Sequence, residues 1–131
     1  MVNMEEVNQT VLVIDPDAVT RKYLDTGLQT SGYNVLLAAS ALEGLNMAWQ
    51  NLPNVIVVDP VLPDLSAVDL ISRLRQDRRT AKVPCIALSS RDLHDQIPVH
   101  TSAGFNEYLV KSKQAVPQLL ELIPRLLKEQ S

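Results

Sequence analysis

The sequence predicts an α/β fold built on a five-stranded parallel sheet, with helices on both faces. Two observations carry this. Five short apolar runs alternate with stretches of helical periodicity along the 131 residues, and that alternation implies right-handed crossovers between parallel strands. The runs are also continuously apolar rather than alternating, as strands read when both faces are covered.

The first run, Val11 to Ile14, is rich in β-branched residues and stops at Asp15. From about Asp17 to Thr30, Val19, Tyr23, Leu24 and Leu28 fall close to one helical stripe, and Gly32 follows as a stop. Val35 to Ala38 is the second strand. Ser40 then serves as a helix cap, with Glu43 completing a capping box. The face of that helix is Leu42, Leu45, Met47 and Trp49, and Pro53 ends the segment. The third strand, Val55 to Val58, stops at Asp59.

A loop from Pro60 to Pro63 leads to a stripe of Leu65, Val68, Leu70, Ile71 and Leu74. The basic stretch Arg73 to Lys82 reads as a solvated helix end that complements the helix dipole. Cys85 to Leu88 is the fourth strand, ending at Ser89, with Cys85 as a core residue. Arg91 to Gly104 has little periodicity and holds Pro98, His94 and His100, so it predicts a short or irregular helix; neither histidine has a metal-ligand partner at a useful spacing. Tyr108 to Val110 is the fifth strand, ending at Lys111. The last helix runs from about Ala115 to Lys128, with Pro117 in its first turn and Pro124 placed to kink it.

Composition narrows the function classes. Apolar residues make up 46% and charged residues 21%, in the globular range. The length fits one domain over 1–131, with a core at about 10–128 and flexible termini at 1–9 and 129–131. The net charge of −3 lacks the basic excess of a general nucleic-acid binder. The single cysteine excludes an internal disulfide framework and a multi-cysteine zinc site. No apolar run reaches the roughly 20 residues needed to span a bilayer, and the opening MVNMEEVNQT does not read as a signal peptide. A cytoplasmic protein with no membrane or direct nucleic-acid partner is the resulting expectation.

Asp15, Asp59, Ser89 and Lys111 each directly follow or close an apolar run. In an open parallel sheet, ligands bind at the carboxyl ends of the strands. Two neighbouring carboxylates repel and call for a cation, and hard oxygen ligands open to water suit Mg²⁺. The Asp59 carboxylate can form an acyl phosphate, with Lys111 and Ser89 placed to hold phosphoryl oxygens.

At this point the chain resembles the receiver domain of bacterial two-component response regulators. The resemblance runs from about Thr10 to Lys128 through VLVIDPD, PNVIVVDPVLPDLSAVDLISRLR, VPCIALSS and AGFNEYLVKS. It implies a flavodoxin-like (βα)5 sandwich with strand order 2-1-3-4-5. By resemblance Asp59 is the phosphoacceptor, and Asp15 is an acidic residue around Mg²⁺. Val61 lies where the family offers a metal-ligating carbonyl. Ser89 matches the switch hydroxyl, Tyr108 the switch aromatic and Lys111 the family lysine. The implied partners are a histidine kinase or histidine phosphotransfer protein upstream, and a downstream protein or fused effector domain.

Three positions depart from the family pattern. Pro16 stands where a second metal-binding acid is usual, leaving Asp17 as the neighbouring candidate. Ser112 replaces a proline after the lysine, and Ala67 replaces a glycine after the acceptor loop. Pro16 supports an alternative, a degenerate receiver that works as a phosphorylation-independent interaction module. A third reading, a haloacid-dehalogenase-like phosphatase, takes DPDAV as its motif, with Asp15 as nucleophile and Asp17 as acid. Against it, the only acids beyond Lys111 are Glu121 and Glu129.

Overall fold

The computed structural model describes residues 9–90 and 97–130. The elements in chain order are β1 (Thr10–Ile14), α1 (Ala18–Thr30), β2 (Asn34–Ala38), α2 (Ala41–Asn51), β3 (Val55–Val58), α3 (Ala67–Gln76), β4 (Cys85–Ser89), α4 (Ile97–Ala103), β5 (Glu107–Val110) and α5 (Ala115–Glu129). All strand pairs are parallel, in the order β2-β1-β3-β4-β5. This is the flavodoxin-like arrangement that the sequence predicts.

The pleat sorts the core into two halves. Leu12, Ile14, Ile56, Val58, Cys85 and Ala87 point to one face, where they pack with α2 and α3. Val11, Val13, Val55, Val57, Ile86 and Leu88 point to the other, against α1 and α5. With both faces covered, no polar alternation is possible, which is why the strands read as unbroken apolar runs.

Local signals set the boundaries. Ser40 Oγ accepts from the Glu43 N–H, and Ser66 Oγ from the Asp69 N–H, at the starts of α2 and α3. Gly32, at φ +99°, follows α1 and donates to Gln29 O. Ala67 opens α3 and is buried.

Several expectations need correction. Val19 and Tyr23 are exposed, at 76% and 40%, so the buried stripe of α1 is Leu24 and Leu28. Leu42 is likewise exposed, and α2 buries Ala41, Gly44, Leu45 and Ala48. Pro124 lies inside α5 as expected, and the helix continues to Glu129; the proline is exposed, where water can serve the carbonyl it leaves unbonded. Glu129 therefore belongs to a helix and not to a loose tail. Pro98 sits in the first turn of a helix only seven residues long, consistent with the weak periodicity there. His94 and the terminal residues 1–8 and 131 lie outside the described residues.

Candidate functional site at the carboxyl edge of the sheet

The ends of β1 and β3 are adjacent, and Asp59 N–H donates to Ile14 O across them. This brings Asp15 and Asp59 side by side, both buried, at 1% and 7% exposure. Lys111 follows β5 and is fixed by its own N–H, which donates to Ser89 O at 2.7 Å. Its ammonium reaches Asp15 Oδ2 and Asp59 Oδ2, each at 2.8 Å. The other carboxylate oxygens take backbone donors. Asp17 N–H donates to Asp15 Oδ1 at 2.9 Å, and Val61 N–H to Asp59 Oδ1 at 2.8 Å. Every carboxylate oxygen of the pair is thus hydrogen-bonded, and one lysine supplies the cation for both.

The electrostatics follow from burial. Desolvation is the largest influence on Asp15 and pushes its carboxyl up, against the pull of Lys111 and the Asp17 amide. Burial also pulls the Lys111 ammonium down, but its two carboxylate partners together outweigh that and hold it above the ordinary lysine value. A lysine so held remains charged at neutral pH.

Ser89 closes β4 and is fully buried. The register pairs Val58 with Ala87 and Ser89 with Val110, so Ser89 stands at the same edge as Asp59 and Lys111. Tyr108 lies on β5 opposite Ala87. Its ring stacks on His100 of α4, with centroids 5.7 Å apart and planes 11° apart. His100 also meets Phe105 edge-on at 5.8 Å. Burial lowers the pKa of His100, so the stack holds a neutral imidazole. Nothing in the sequence pattern marked His100 as the neighbour of Tyr108.

Asp17 is not a third acid of the pair. Its exposed carboxylate caps α1, accepting from Val19 N–H, Thr20 N–H and Thr20 Oγ1. Among the described residues, no group of three or more acidic, histidine or cysteine side chains is placed to hold a metal. Asp15 and Asp59 are the right kind of donor for Mg²⁺, which takes one or two carboxylates and keeps several waters. The donor set fits in kind.

Two further residues escaped the sequence reading. Asp64, in the loop after Asp59, accepts from Ala41 N–H at 3.0 Å and Leu42 N–H at 2.9 Å, fastening the acceptor loop to the start of α2. Arg75 belongs to the basic stretch read as solvated, yet its guanidinium donates to Val83 O at 2.6 Å, Thr80 O at 3.1 Å and Gly104 O at 2.8 Å. That correction has a physical basis, since a guanidinium presents five donors in a fork and can gather carbonyls from several loops.

A family model described as the response regulator receiver domain matches residues 11–123. The chain belongs to that family. Over 101 residues it is 33% identical to an uncharacterised 14.6 kDa protein of Leptolyngbya boryana, covering 77% of each. It is 37% identical over 101 residues to the transcriptional regulatory protein PrrA of Mycobacterium tuberculosis, covering 77% of this receiver and 42% of PrrA. The receiver thus spans less than half the length of that regulator. In structure it is similar to the receiver domain of the sensor histidine kinase PA1611 of Pseudomonas aeruginosa, which carries a magnesium ion in its active-site cleft. The TM-score is 0.84 at 25% identity, covering 92% of this chain and 98% of that one. No helix among the described residues is long and apolar enough to cross a membrane.

Proposed function

We propose that this receiver accepts a phosphoryl group on Asp59 from a phosphohistidine of a histidine kinase or phosphotransfer protein. The observation that carries the reading is Lys111 bridging Asp15 and Asp59 at 2.8 Å each. In the transfer, an Asp59 carboxylate oxygen forms a bond to phosphorus as the phosphorus–nitrogen bond of the donor breaks, and the imidazole leaves. There is little covalent chemistry for the protein to perform, so positioning and charge stabilisation dominate. Lys111 gives up part of its hold on Asp59 and follows the phosphoryl oxygens, while Ser89 offers its hydroxyl from the next strand end.

Asp15 and Asp59, with the Val61 carbonyl, are the groups that would hold Mg²⁺, whose part is to neutralise charge on the transferring group. With Pro16 in place of an acid, the affinity should be low. The domain acts as a phosphoacceptor with at most self-dephosphorylation, and not as an enzyme with an external turnover.

The signal would leave through β5 and α4. Tyr108 and His100 share a stack there, and Val99 and Val110 are exposed on the same two elements. A downstream protein or effector domain is the receiving partner. One observation favours the degenerate-receiver reading instead: every oxygen of the carboxylate pair already has a hydrogen-bond donor from within the protein. The phosphatase reading loses its acid, since Asp17 is turned to its own helix.

Incubation with phosphoramidate and Mg²⁺, followed by mass spectrometry, tests this. The expected result is one alkali-labile adduct, abolished by Asp59→Asn. A folded wild-type protein that takes no phosphoryl group at saturating donor and Mg²⁺ would leave the interaction-module reading.

A further inference from the structure

We infer that Tyr23 of α1 is a positioning residue for Lys111, holding from outside a loop that cannot hold itself. Three residues, Ser112 to Gln114, separate Lys111 from the first residue of α5, and all three are exposed. The internal bonds of this loop are short-range, Gln114 N–H to Ser112 Oγ at 3.0 Å and Ala115 N–H to Ser112 O at 3.1 Å. Ser112 also lacks the fixed backbone angle that a proline would give at that position.

The start of α5 has the same weakness. Gln114, at its cap position, makes no side-chain capping bond, so the first N–H groups of the helix need partners from elsewhere. Tyr23 provides one. Its hydroxyl accepts from Val116 N–H at 3.4 Å and donates to Lys113 O at 3.0 Å, 93 and 90 positions along the chain. One oxygen thus joins the loop to the helix that follows it.

The approach is built into α1. Gly27 lies one turn after Tyr23 on the same helical face. A Cβ at Gly27 would come within 2.7 Å of the Val116 side chain, so a side chain there would force Val116 to shift. Tyr23 also lines a cavity of about 180 Å³, together with Leu24, Leu88, Lys111, Ser112 and Ala115. Packing on that side of the loop is incomplete, and the hydroxyl adds a tie on the far side of the loop from the Lys111 N–H bond to Ser89 O. The sequence reading took Tyr23 for a core position, which hid this role.

The inference rests on Lys111 being the working cation of the proposed site, but its test does not need phosphorylation. Tyr23→Phe removes the hydroxyl and keeps the ring. In the unphosphorylated protein, amide exchange at Val116 should quicken by about tenfold, as expected for one lost hydrogen bond, with smaller increases through 112–115. At a fixed pH of 7 the carbon-13 shift of Lys111 Cε should move away from its wild-type position, because a looser loop changes how the ammonium sits between Asp15 and Asp59. Lys22→Ala, one residue away and off this contact, should change neither.

Unchanged exchange and an unchanged Lys111 Cε shift in Tyr23→Phe would overturn the inference. So would a uniform rise in exchange over α1, α5 and the sheet, which would mark plain destabilisation. If these changes appear while wild type takes no phosphoryl group, the phosphoacceptor reading fails and the positioning role stands.

Discussion

Two cations at opposite ends of the sheet solve different problems. Lys111, at the carboxyl edge, sits between two buried carboxylates that would repel each other without it. Arg75, towards the amino edge, gathers the Thr80, Val83 and Gly104 carbonyls with Asn106 Oδ1, and among the described residues no carboxylate is its partner. Arg75 is a staple: it completes the hydrogen bonding of neutral loops that lead into β4 and β5. Lys111 neutralises a tension that the sheet creates by placing two acids side by side, and such a tension is worth keeping only where charge is to be exchanged. The staple should therefore be insensitive to pH and metal, and the site should respond to both.

The largest effect is expected at the staple. Arg75→Ala leaves several half-buried carbonyls without a donor and should cost about 3 kcal/mol of stability. The deficit, read from urea unfolding, should stay constant between about pH 5 and 8 and be indifferent to Mg²⁺. Arg75→Lys should recover little, because an ammonium cannot span the same acceptors. A deficit that varied with pH would erase the distinction from Lys111.

Lys111→Met should cost less, about 2 kcal/mol at pH 7, and the cost should depend on conditions. With the cation gone, one carboxyl of the pair binds a proton more readily in the folded than in the unfolded chain. A folded pKa raised in this way gives stability that is present at low pH and lost as pH rises through it. The deficit should shrink towards pH 5, and millimolar Mg²⁺ should recover part of it. A pH-independent deficit would mean that Lys111 is only another staple.

Pro16→Asp sharpens the metal side of the comparison. Supplying the absent acid should tighten Mg²⁺ about tenfold by titration calorimetry. Equal affinity in both forms would show that Pro16 is not what limits the site.

The smallest effect is an order of titration. Asp15, raised by burial, should protonate before Asp17, Asp64 and Asp77 as pH falls, followed by carboxyl carbon NMR. Asp77, hydrogen-bonded by Arg79, is held down to about 2. The signs differ accordingly. The lowered groups contribute stability above the ordinary 3.8 that is lost as pH falls towards their folded values, whereas Asp15 contributes in the opposite sense. Asp15 titrating last would contradict its burial.

This contrast also explains what could be read without coordinates. Asp15, Asp59, Ser89 and Lys111 were legible because an abrupt polar residue after an unbroken apolar run marks a strand end, and parallel strands align their ends. Arg75 was not, because its partners are backbone carbonyls, which every residue has and which leave no pattern. Asp64 was missed for a similar reason: it caps a helix more than 20 positions earlier in the chain, while capping signals are sought next to the helix. The contacts of His100 and Tyr23 went unread because periodicity reports which side of a helix faces inwards, and not which ring or hydroxyl waits there. The Asp17 carboxylate shows the converse. Local capping chemistry was readable in principle, and it outcompeted the metal-ligand role.

Cys85 has a practical consequence. It is the chain's one cysteine, it lies fully buried at the start of β4, and burial pushes its thiol up to about 11. Alkylating reagents attack the thiolate, so the folded protein should resist them at neutral pH. Whenever β4 is released, the thiol becomes both accessible and acidic enough to react. The native chain thus contains its own opening clock: pulsed maleimide labelling at Cys85 would time the release of β4, and with it the strand end that carries Ser89, with no reporter added.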